Sequence, residues 1–157
     1  MQTGHLPHAA DLRKGRVSLP GGIYLVTSVT HERVAHFSDF PSARTLIHEM
    51  RASDSAGYTQ TLAFVIMPDH FHWLLQLNSH DLSAVVRRIK SRAAIRLNQR
   101  LGTLGSRIWQ RGFHDHALRR EEDVRDVARY VIANPLRAGL VSSIRDYPYW
   151  DASWLEP

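Results

Sequence analysis

The alternation of hydrophobic and polar residues divides the chain into strand and helix segments. Ile23 to Thr30 is rich in β-branched residues and predicts a first strand. Tyr58 to Met67 and His70 to Leu77 predict two further strands, joined as a hairpin by the tight turn Pro68-Asp69. Arg107 to Leu118 predicts a fourth strand.

Three other segments repeat apolar residues at helical spacing. Ser42 to Ala52 predicts a short first helix. A long amphipathic helix is predicted from Asp81, a suitable N-cap, to the stop at Gly102. The last helix opens at the acidic cluster Glu121-Glu122-Asp123, which suits the positive end of a helix dipole, and runs to Asn134-Pro135.

The order β-α-β-β-α-β-α predicts an α+β fold with a ferredoxin-like or RRM-like antiparallel sheet. We expect the helices on one face of the sheet and the other face free for a ligand. A length of 157 residues suits one domain. Residues 21–141 form the predicted domain, after a flexible basic arm at 1–20 and before a tail at 142–157 whose aromatic residues are expected to pack onto it.

Composition restricts the class of protein further. No apolar run approaches the roughly 20 residues of a membrane span, so no membrane association is expected. The absence of cysteine excludes disulfides and suits a cytoplasmic location. Of the 20 basic residues only Lys14 and Lys90 are lysine, and arginine favours phosphate and base recognition. A GC-rich genome, whose codons favour arginine, is the alternative explanation.

The strand His70 to Leu77 places two imidazoles at positions i and i+2. Side chains alternate along a strand, so His70 and His72 share one face while Phe71 and Trp73 enter the core. Neutral imidazole is a common metal ligand, and two of them on one strand can share an ion. The pair therefore predicts a metal site.

The second helix carries a row of arginines spaced four apart and uninterrupted by any acidic residue. Like charges at that spacing repel one another, and a polyanion would relieve the repulsion. We therefore predict phosphate binding by this helix, with a solvated surface as the alternative. The candidate phosphate-binding residues of the helix and of the basic arm are Arg13, Lys14, Arg16, Arg87, Arg88, Lys90, Arg92, Arg96 and Arg100.

Tyr130 and Asn134 lie four residues apart on the last helix and project from the same side. A phenol beside a metal is a candidate nucleophile once a base or cation assists its deprotonation. An ordinary surface tyrosine followed by an Asn-Pro helix end is the alternative interpretation.

Several motifs together resemble the single-tyrosine HUH transposases, and in particular the branch called REP-associated tyrosine transposases. The resemblance covers residues 13–141 and includes Pro20-Gly21-Gly22-Ile23-Tyr24 at the first strand. Its other motifs are His70-Phe71-His72, Lys90-Ser91-Arg92 ahead of Asn98, Trp109-Gln110-Arg111-Gly112-Phe113, and the string Tyr130-Val131-Ile132-Ala133-Asn134-Pro135-Leu136-Arg137-Ala138-Gly139-Leu140-Val141.

The resemblance implies an enzyme that cleaves and joins single-stranded DNA with hairpin ends. On that pattern His70, His72 and Asn134 hold a divalent Mg²⁺ or Mn²⁺ ion, and Tyr130 attacks the scissile phosphate. The expected products are a 5′-phosphotyrosine intermediate and a free 3′-hydroxyl, without ATP. The resemblance leaves open whether the protein is a monomer or a homodimer.

Four residues near these motifs carry open interpretations. Asp69 stands where many relatives have asparagine, and it either orients an imidazole or, as we favour, caps the hairpin turn. Pro135 is expected to strain the helix and to swing the Asn134 amide away. His114 and His116 form a second His-x-His pattern, which we interpret as a surface or DNA-facing pair rather than a rival metal site.

Two other classes of protein compete with this interpretation. A non-catalytic or regulatory nucleic-acid-binding module shares the same sheet-and-helix layout, but it typically displays stacked aromatic residues on the open sheet face. A barrel-type metal hydrolase needs around 250 residues, which exceeds this chain. DNA cleavage is therefore the favoured function, with the binding module as the alternative.

Overall fold

The computed structural model describes residues 19, 21–78, 80–119 and 123–153. A five-stranded antiparallel sheet is the centre of the fold, with strand order β4-β1-β3-β2-β5. The strands are β1 (Ile23–Val29), β2 (Thr59–Met67), β3 (His70–Leu77), β4 (His114–Ala117) and β5 (Trp150–Ala152). The helices are α1 (Phe40–Ser55), α2 (Leu82–Leu101), α3 (Val124–Ile132) and α4 (Asn134–Arg137), and short 3₁₀ turns lie at His31–Arg33 and Ile144–Asp146.

The helix ends follow the predicted capping chemistry. Asp81 accepts a hydrogen bond from the Ala84 amide at the start of α2, and Gly102 ends that helix in the left-handed conformation with φ 68°. Asp123 accepts from the Arg125 amide at the start of α3. Glu121 and Glu122, which were expected to contribute there, lie outside the described residues.

The α+β class and the antiparallel sheet predicted from the sequence are confirmed. One sheet face carries the main core, where Phe71, Trp73 and Leu75 of β3 pack with α1 and α2. The other face is not fully open, because α3 packs on it: Ala128 and Ile132 contact the cluster around Leu74. The expectation that all helices share one face was therefore wrong for α3.

The predicted fourth strand, Arg107 to Leu118, is much shorter in the structure. Only residues 114–117 pair with β1, and Trp109 makes an isolated bridge to Thr30. In the segment between Trp109 and β4, the carbonyls of Gln110 and Gly112 accept hydrogen bonds from the Lys90 ammonium group, at 3.2 and 2.6 Å. Residues 107–113 therefore form a loop that is held both by α2 and by hydrogen bonds to the end of β1.

The predicted tail contributes part of the sheet. β5 pairs with β2, the Tyr147 hydroxyl donates to the Ile66 carbonyl, and the Trp150 indole donates to the Ile144 carbonyl at 2.7 Å. Packing of the tail aromatics is thus observed up to Ser153, while Trp154 lies outside the described residues.

Candidate functional site

The two histidines of β3 lie together on the sheet face that also carries α3. Their ring centroids are 5.0 Å apart and the ring planes are nearly perpendicular, at 84°. Both side chains are only partly buried, whereas Phe71 between them is fully buried in the core. The strand alternation predicted from the sequence therefore brings the two imidazoles to one partly accessible place.

The imidazole of His70 is fixed by its neighbour in the hairpin turn. Its Nδ1 lies 2.7 Å from Asp69 Oδ1, and Arg33 Nη1 lies 3.3 Å from the other carboxylate oxygen. Burial alone would raise the pKa of Asp69, but the hydrogen bond with His70 and the charges of His70 and Arg33 hold it below its usual value. Asp69 thus orients the imidazole, which is the interpretation that the sequence analysis did not favour.

Arg33 reaches Asp69 from a backbone conformation that is unusual for residues other than glycine. Both Glu32 and Arg33 have φ 54°, in the left-handed region. Such conformations persist only where the surroundings hold them, and they concentrate at functional sites. Here the Thr30 hydroxyl shares its proton between the carbonyls of Val34 and Asp69, at 2.8 and 3.1 Å, and so connects this turn to the β2–β3 hairpin.

His72 is fixed by β1. Its Nδ1 lies 2.8 Å from the Thr27 hydroxyl oxygen, directly across the strand pair. Burial, the nearby His70 and the positive charge of Arg137 lower the pKa of His72 to about 4. The ring is therefore neutral at pH 7, which is the protonation state that a metal ligand needs.

Tyr130 lies on the outer side of α3 with 60% of its surface exposed. The Arg137 guanidinium covers the phenol ring at 3.8 Å from the centroid and donates a 2.7 Å hydrogen bond to the Tyr130 carbonyl. Because the same Arg137 charge acts on His72, the arginine connects the tyrosine with the histidine face. The sequence analysis quoted Arg137 only as part of a motif and missed this role.

Asn134 is the first residue of α4, and its side-chain nitrogen donates to the Val131 carbonyl at 3.0 Å. This bond uses the amide nitrogen and leaves the amide oxygen available for a cation. The expected strain at Pro135 is absent, because α3 ends at Ile132 and the proline lies in the first turn of α4, where its missing N–H costs nothing.

No group of three or more His, Asp or Glu side chains suited to a metal ion occurs among the described residues. A metal site here would therefore combine the two imidazoles with the neutral Asn134 oxygen. Two nitrogen ligands and an amide oxygen suit Mn²⁺ better than Mg²⁺, which prefers oxygen ligands alone.

The arginine row on α2 is not an unpaired positive surface. Arg92 Nε and Arg96 Nε each lie 3.0 Å from the buried Glu49 carboxylate of α1, and Arg100 Nη2 lies 2.8 Å from Asp39 Oδ1. The sequence analysis missed these acids because Glu49 lies on α1 and Asp39 caps its start, both distant from α2 in sequence. The expected repulsion along the row is thus offset across the α1–α2 contact.

Lys90 requires a second correction, because it does not lie on an exposed surface. The residue is 8% exposed, its ammonium group donates to loop carbonyls, and its carbonyl accepts from the Trp109 indole at 2.9 Å. The buried Lys90 therefore secures the 107–113 loop, and its ammonium group is not exposed for contact with DNA. Arg87 and Arg88 are exposed, and Arg88 lies 5.9 Å from the Tyr58 ring centroid. Arg13, Lys14 and Arg16 lie outside the described residues.

His114 shares the face of the histidine pair. It pairs with Thr27 in the β1–β4 register, and Thr27 in turn pairs with His72. Directly opposed residues of an antiparallel sheet project to the same side, so His72, Thr27 and His114 form one row across three strands. His116 occupies the next position on that side, opposite Leu25. The prediction that this pair faces outward agrees with the exposure of both residues.

The fold and site define an α+β domain with a histidine pair and an exposed tyrosine associated with one sheet face. Comparison with known proteins gives its family: residues 23–134 match the family described as IS200-like transposases. The chain belongs to this transposase family. The matched segment includes both histidines, Tyr130 and Asn134.

Individual relatives agree with this assignment. The chain is 28% identical over 144 residues to a Haemophilus influenzae protein named as a provisional REP-associated tyrosine transposase, covering 82% of this chain and 78% of that protein. It is 32% identical over 89 residues to the REP-associated tyrosine transposase of Escherichia coli, covering 55% and 50%. A solved REP-associated tyrosine transposase bound to a REP hairpin superimposes with a TM-score of 0.70 at 25% identity, covering 86% of this chain and 79% of that chain.

Within the described part of the chain, no helix has both the length and the apolar character needed to cross a membrane.

Proposed function

We propose that the protein cleaves and rejoins single-stranded DNA at hairpin-containing sequences through a covalent 5′-phosphotyrosine intermediate. The observation that carries the proposal is the oriented pair His70 and His72 on the sheet face that α3, with its exposed Tyr130, also covers. A similar protein was solved with a REP hairpin bound, which supports hairpin DNA as the partner. The proposal places the site of action in the cytoplasm.

The residues fit a divalent ion. Nδ1 of each imidazole faces a hydrogen-bond partner, Asp69 or Thr27, so Nε2 is the ring nitrogen available to an ion, and Asn134 adds its amide oxygen. An ion bound there would supply Lewis-acid polarisation of the scissile phosphate.

Tyr130 is the proposed nucleophile. Its phenol releases a proton to solvent and its oxygen forms a bond to phosphorus. The bond from phosphorus to the 3′-oxygen breaks, and the leaving 3′-oxygen takes up a proton to become a hydroxyl. The number of phosphoester bonds stays constant, so attack by another 3′-hydroxyl reverses the reaction and joins a new strand without ATP. Arg137, which lies against the phenol ring, supplies positive charge for the phosphate under attack.

DNA binding is the second part of the proposal. Arg87 and Arg88 are exposed on α2, and the ion-paired Arg92, Arg96 and Arg100 remain half-exposed at their outer sides. These residues, with Arg13, Lys14 and Arg16 of the amino-terminal segment, are proposed to contact phosphates. A pair between an arginine and an acid still leaves guanidinium N–H groups for a phosphate oxygen.

The test uses hairpin oligonucleotides with single-stranded flanks, incubated with Mn²⁺ and analysed on a denaturing gel. Wild type is expected to form a covalent adduct, whereas Tyr130→Phe and His70→Ala form none while still binding DNA. Arg129→Gln, a change on the same helix as Tyr130, is the matched control and keeps the adduct. A protein that binds hairpins but never forms an adduct would be the binding module instead.

A further inference from the structure

A cavity of about 330 Å³ lies between α2 and the 107–113 loop, on the sheet face away from the histidine pair. Its inner surface is apolar and includes Val86, Ala94, Ile108, Trp109 and Phe113. Four of these side chains are buried and belong to the main core. The cavity therefore has an apolar inner surface built largely from core side chains, as is typical of ligand pockets.

The mouth of the cavity is positively charged. Arg87, Arg107 and Arg111 line it and are exposed, and none of its lining residues is acidic. Arg107 donates to the Trp109 carbonyl at 3.2 Å, while Arg87 and Arg111 make no ion pair with any described residue. Charge complementarity thus selects an anionic ligand, whose apolar part enters the cavity.

Neutral polar groups complete the lining. Ser91 contributes an exposed hydroxyl from α2, and Gln110 contributes an amide from the loop. A hydroxyl and an amide both donate and accept hydrogen bonds, which is what recognition of the edge of a nucleobase requires. An acyl chain or an apolar peptide side chain would offer these groups no hydrogen-bond partner.

The loop that forms one wall is joined to the strand end that carries the candidate active site. The Ile108 carbonyl accepts from the His31 amide at 2.8 Å, and the Gln110 amide donates to the Val29 carbonyl at 2.9 Å. Val29 in turn pairs with His70 across β1 and β3. The cavity wall and the histidine pair therefore lie at the same end of β1 and β3, on opposite faces of the sheet.

We infer that this cavity binds one unstacked nucleobase of the single-stranded DNA, with Arg87 and Arg111 holding the adjacent phosphates. The inference rests on the proposed function, since it assigns a binding position for the same DNA. Single strands are commonly held by apolar surfaces for bases together with cations for the backbone. The cavity thereby provides sequence or register selection at one nucleotide of the single-stranded flank.

The test begins with a hairpin oligonucleotide with single-stranded flanks, selected from a randomised pool by the wild-type protein. Each flanking nucleotide is replaced in turn by an abasic residue, and affinity is measured by fluorescence anisotropy. One position is expected to weaken binding by about 5-fold to 100-fold, the usual effect of losing one stacked base. The other flanking positions are expected to change affinity far less.

Two protein variants connect that nucleotide with the cavity. Ala94→Phe fills the cavity and Gln110→Ala removes the amide assigned to the base edge, so the abasic substitution should weaken binding less in both variants than in wild type. Ile95→Phe and Gln99→Ala, both at exposed positions of α2, are the matched controls and keep wild-type behaviour. Thermal melting of each variant establishes that the fold is intact. Should Ala94→Phe melt early, Gln110→Ala alone decides.

The outcomes separate this inference from the proposed cleavage. Uniform abasic effects, or the same position-specific effect in wild type and Gln110→Ala, overturn the cavity inference while a Tyr130 adduct upholds cleavage. A position-specific effect that decreases in Gln110→Ala, without any adduct, supports the cavity and removes cleavage. If no hairpin is selected from the pool, both proposals are wrong.

Discussion

Residues at the candidate site are held by partners that the local sequence only partly reveals. Asp69 fixes one imidazole from the adjacent position, whereas Thr27 fixes the other from a strand 45 residues away. Both contacts occupy Nδ1 and leave Nε2 for a ligand. Oriented imidazoles bind a metal more tightly, because less rotational freedom is lost on binding.

Removal of the Asp69 carboxylate tests this orientation. Asp69→Ala is expected to weaken Mn²⁺ binding by about 10-fold to 100-fold, since the His70 ring loses the acceptor that sets its tautomer. Isothermal titration calorimetry measures the affinity, and Asp126→Ala, at an exposed ion pair on α3, is the control. Equal Mn²⁺ affinity in Asp69→Ala and wild type would show that the carboxylate only shapes the turn.

Arg137 is the other residue whose contribution can be isolated. Arg137→Gln is expected to slow formation of the covalent adduct at least about 10-fold, because it removes a positive charge beside the phosphate and the phenol. Single-turnover rates on denaturing gels give the effect. Arg129→Gln lowers the net charge equally and should leave the rate within about twofold, since this side chain pairs with Asp126. Equal rates for the two variants would exclude a role for Arg137 in the reaction.

At the scale of elements, the contact between α1 and α2 depends on one buried carboxylate. Glu49 is 2% exposed and pairs with Arg92 and Arg96, both half-exposed. A buried charge without partners is costly, so these arginines hold the helices together as well as facing solvent.

Glu49→Gln tests how much the ion pairs of Arg92 and Arg96 stabilise the fold. We expect the free energy of unfolding to fall by about 1–3 kcal/mol, because a neutral amide replaces the buried charge that both guanidinium groups pair with. Urea denaturation provides the measurement. Asp126→Asn, at an exposed pair, should change stability by less than about 1 kcal/mol. A Glu49→Gln protein as stable as wild type would mean that the pairs contribute nothing to α1–α2 packing.

The elements with strong local signals could be predicted from the sequence. Strand alternation identified the His70–His72 face, and capping residues identified both ends of α2. The loop at 107–113 could not be predicted, because its shape depends on the Lys90 ammonium group about twenty residues earlier in the chain. The pairing of the α2 arginines with Glu49 and the packing of α3 on the histidine face are likewise contacts between elements distant in sequence, which periodicity does not encode.

Tyr147, in the segment that precedes β5, makes the free energy of unfolding depend on pH. Burial, with a smaller effect of Tyr149, raises the pKa of Tyr147 to about 12 from 10 in the unfolded chain. The unfolded state loses its proton first, so this contribution to stability is complete below pH 10 and is lost as the pH rises from 10 to 12.

Alkaline denaturation curves measure that loss. Stability should decrease on the order of 2 kcal/mol between pH 10 and pH 12 through this group. Tyr147→Phe, which cannot ionise, should decline less steeply over the same range while starting from lower stability without the bond to Ile66. Parallel curves for the two proteins would contradict burial of the Tyr147 phenol.

At the scale of the whole molecule, a formal charge of +5 with 20 basic residues favours a polyanionic partner. The structure divides these charges into paired and unpaired groups. Arg92, Arg96 and Arg100 pair with acids, whereas Arg87 and Arg111 at the cavity mouth have no ion-pair partner among the described residues.

The salt dependence of hairpin binding follows from that division. Each phosphate contact on a single strand contributes about 0.7 to the slope of log affinity against log salt. Arg87→Gln should therefore reduce the slope by about that amount, and Arg51→Gln should leave it unchanged. Anisotropy titrations over a range of NaCl concentrations provide the slopes. An Arg87→Gln slope equal to that of wild type would remove this residue from the DNA interface.

The central claim is that Tyr130 becomes covalently attached to the 5′-phosphate of cleaved DNA. The most direct measurement is mass spectrometry of the wild-type protein after reaction with hairpin DNA and Mn²⁺, followed by nuclease and protease digestion. The account predicts a nucleotide-sized mass increase on the peptide that contains Tyr130, localised to that residue. A modification on another tyrosine, or cleaved DNA without any modified peptide, would contradict it.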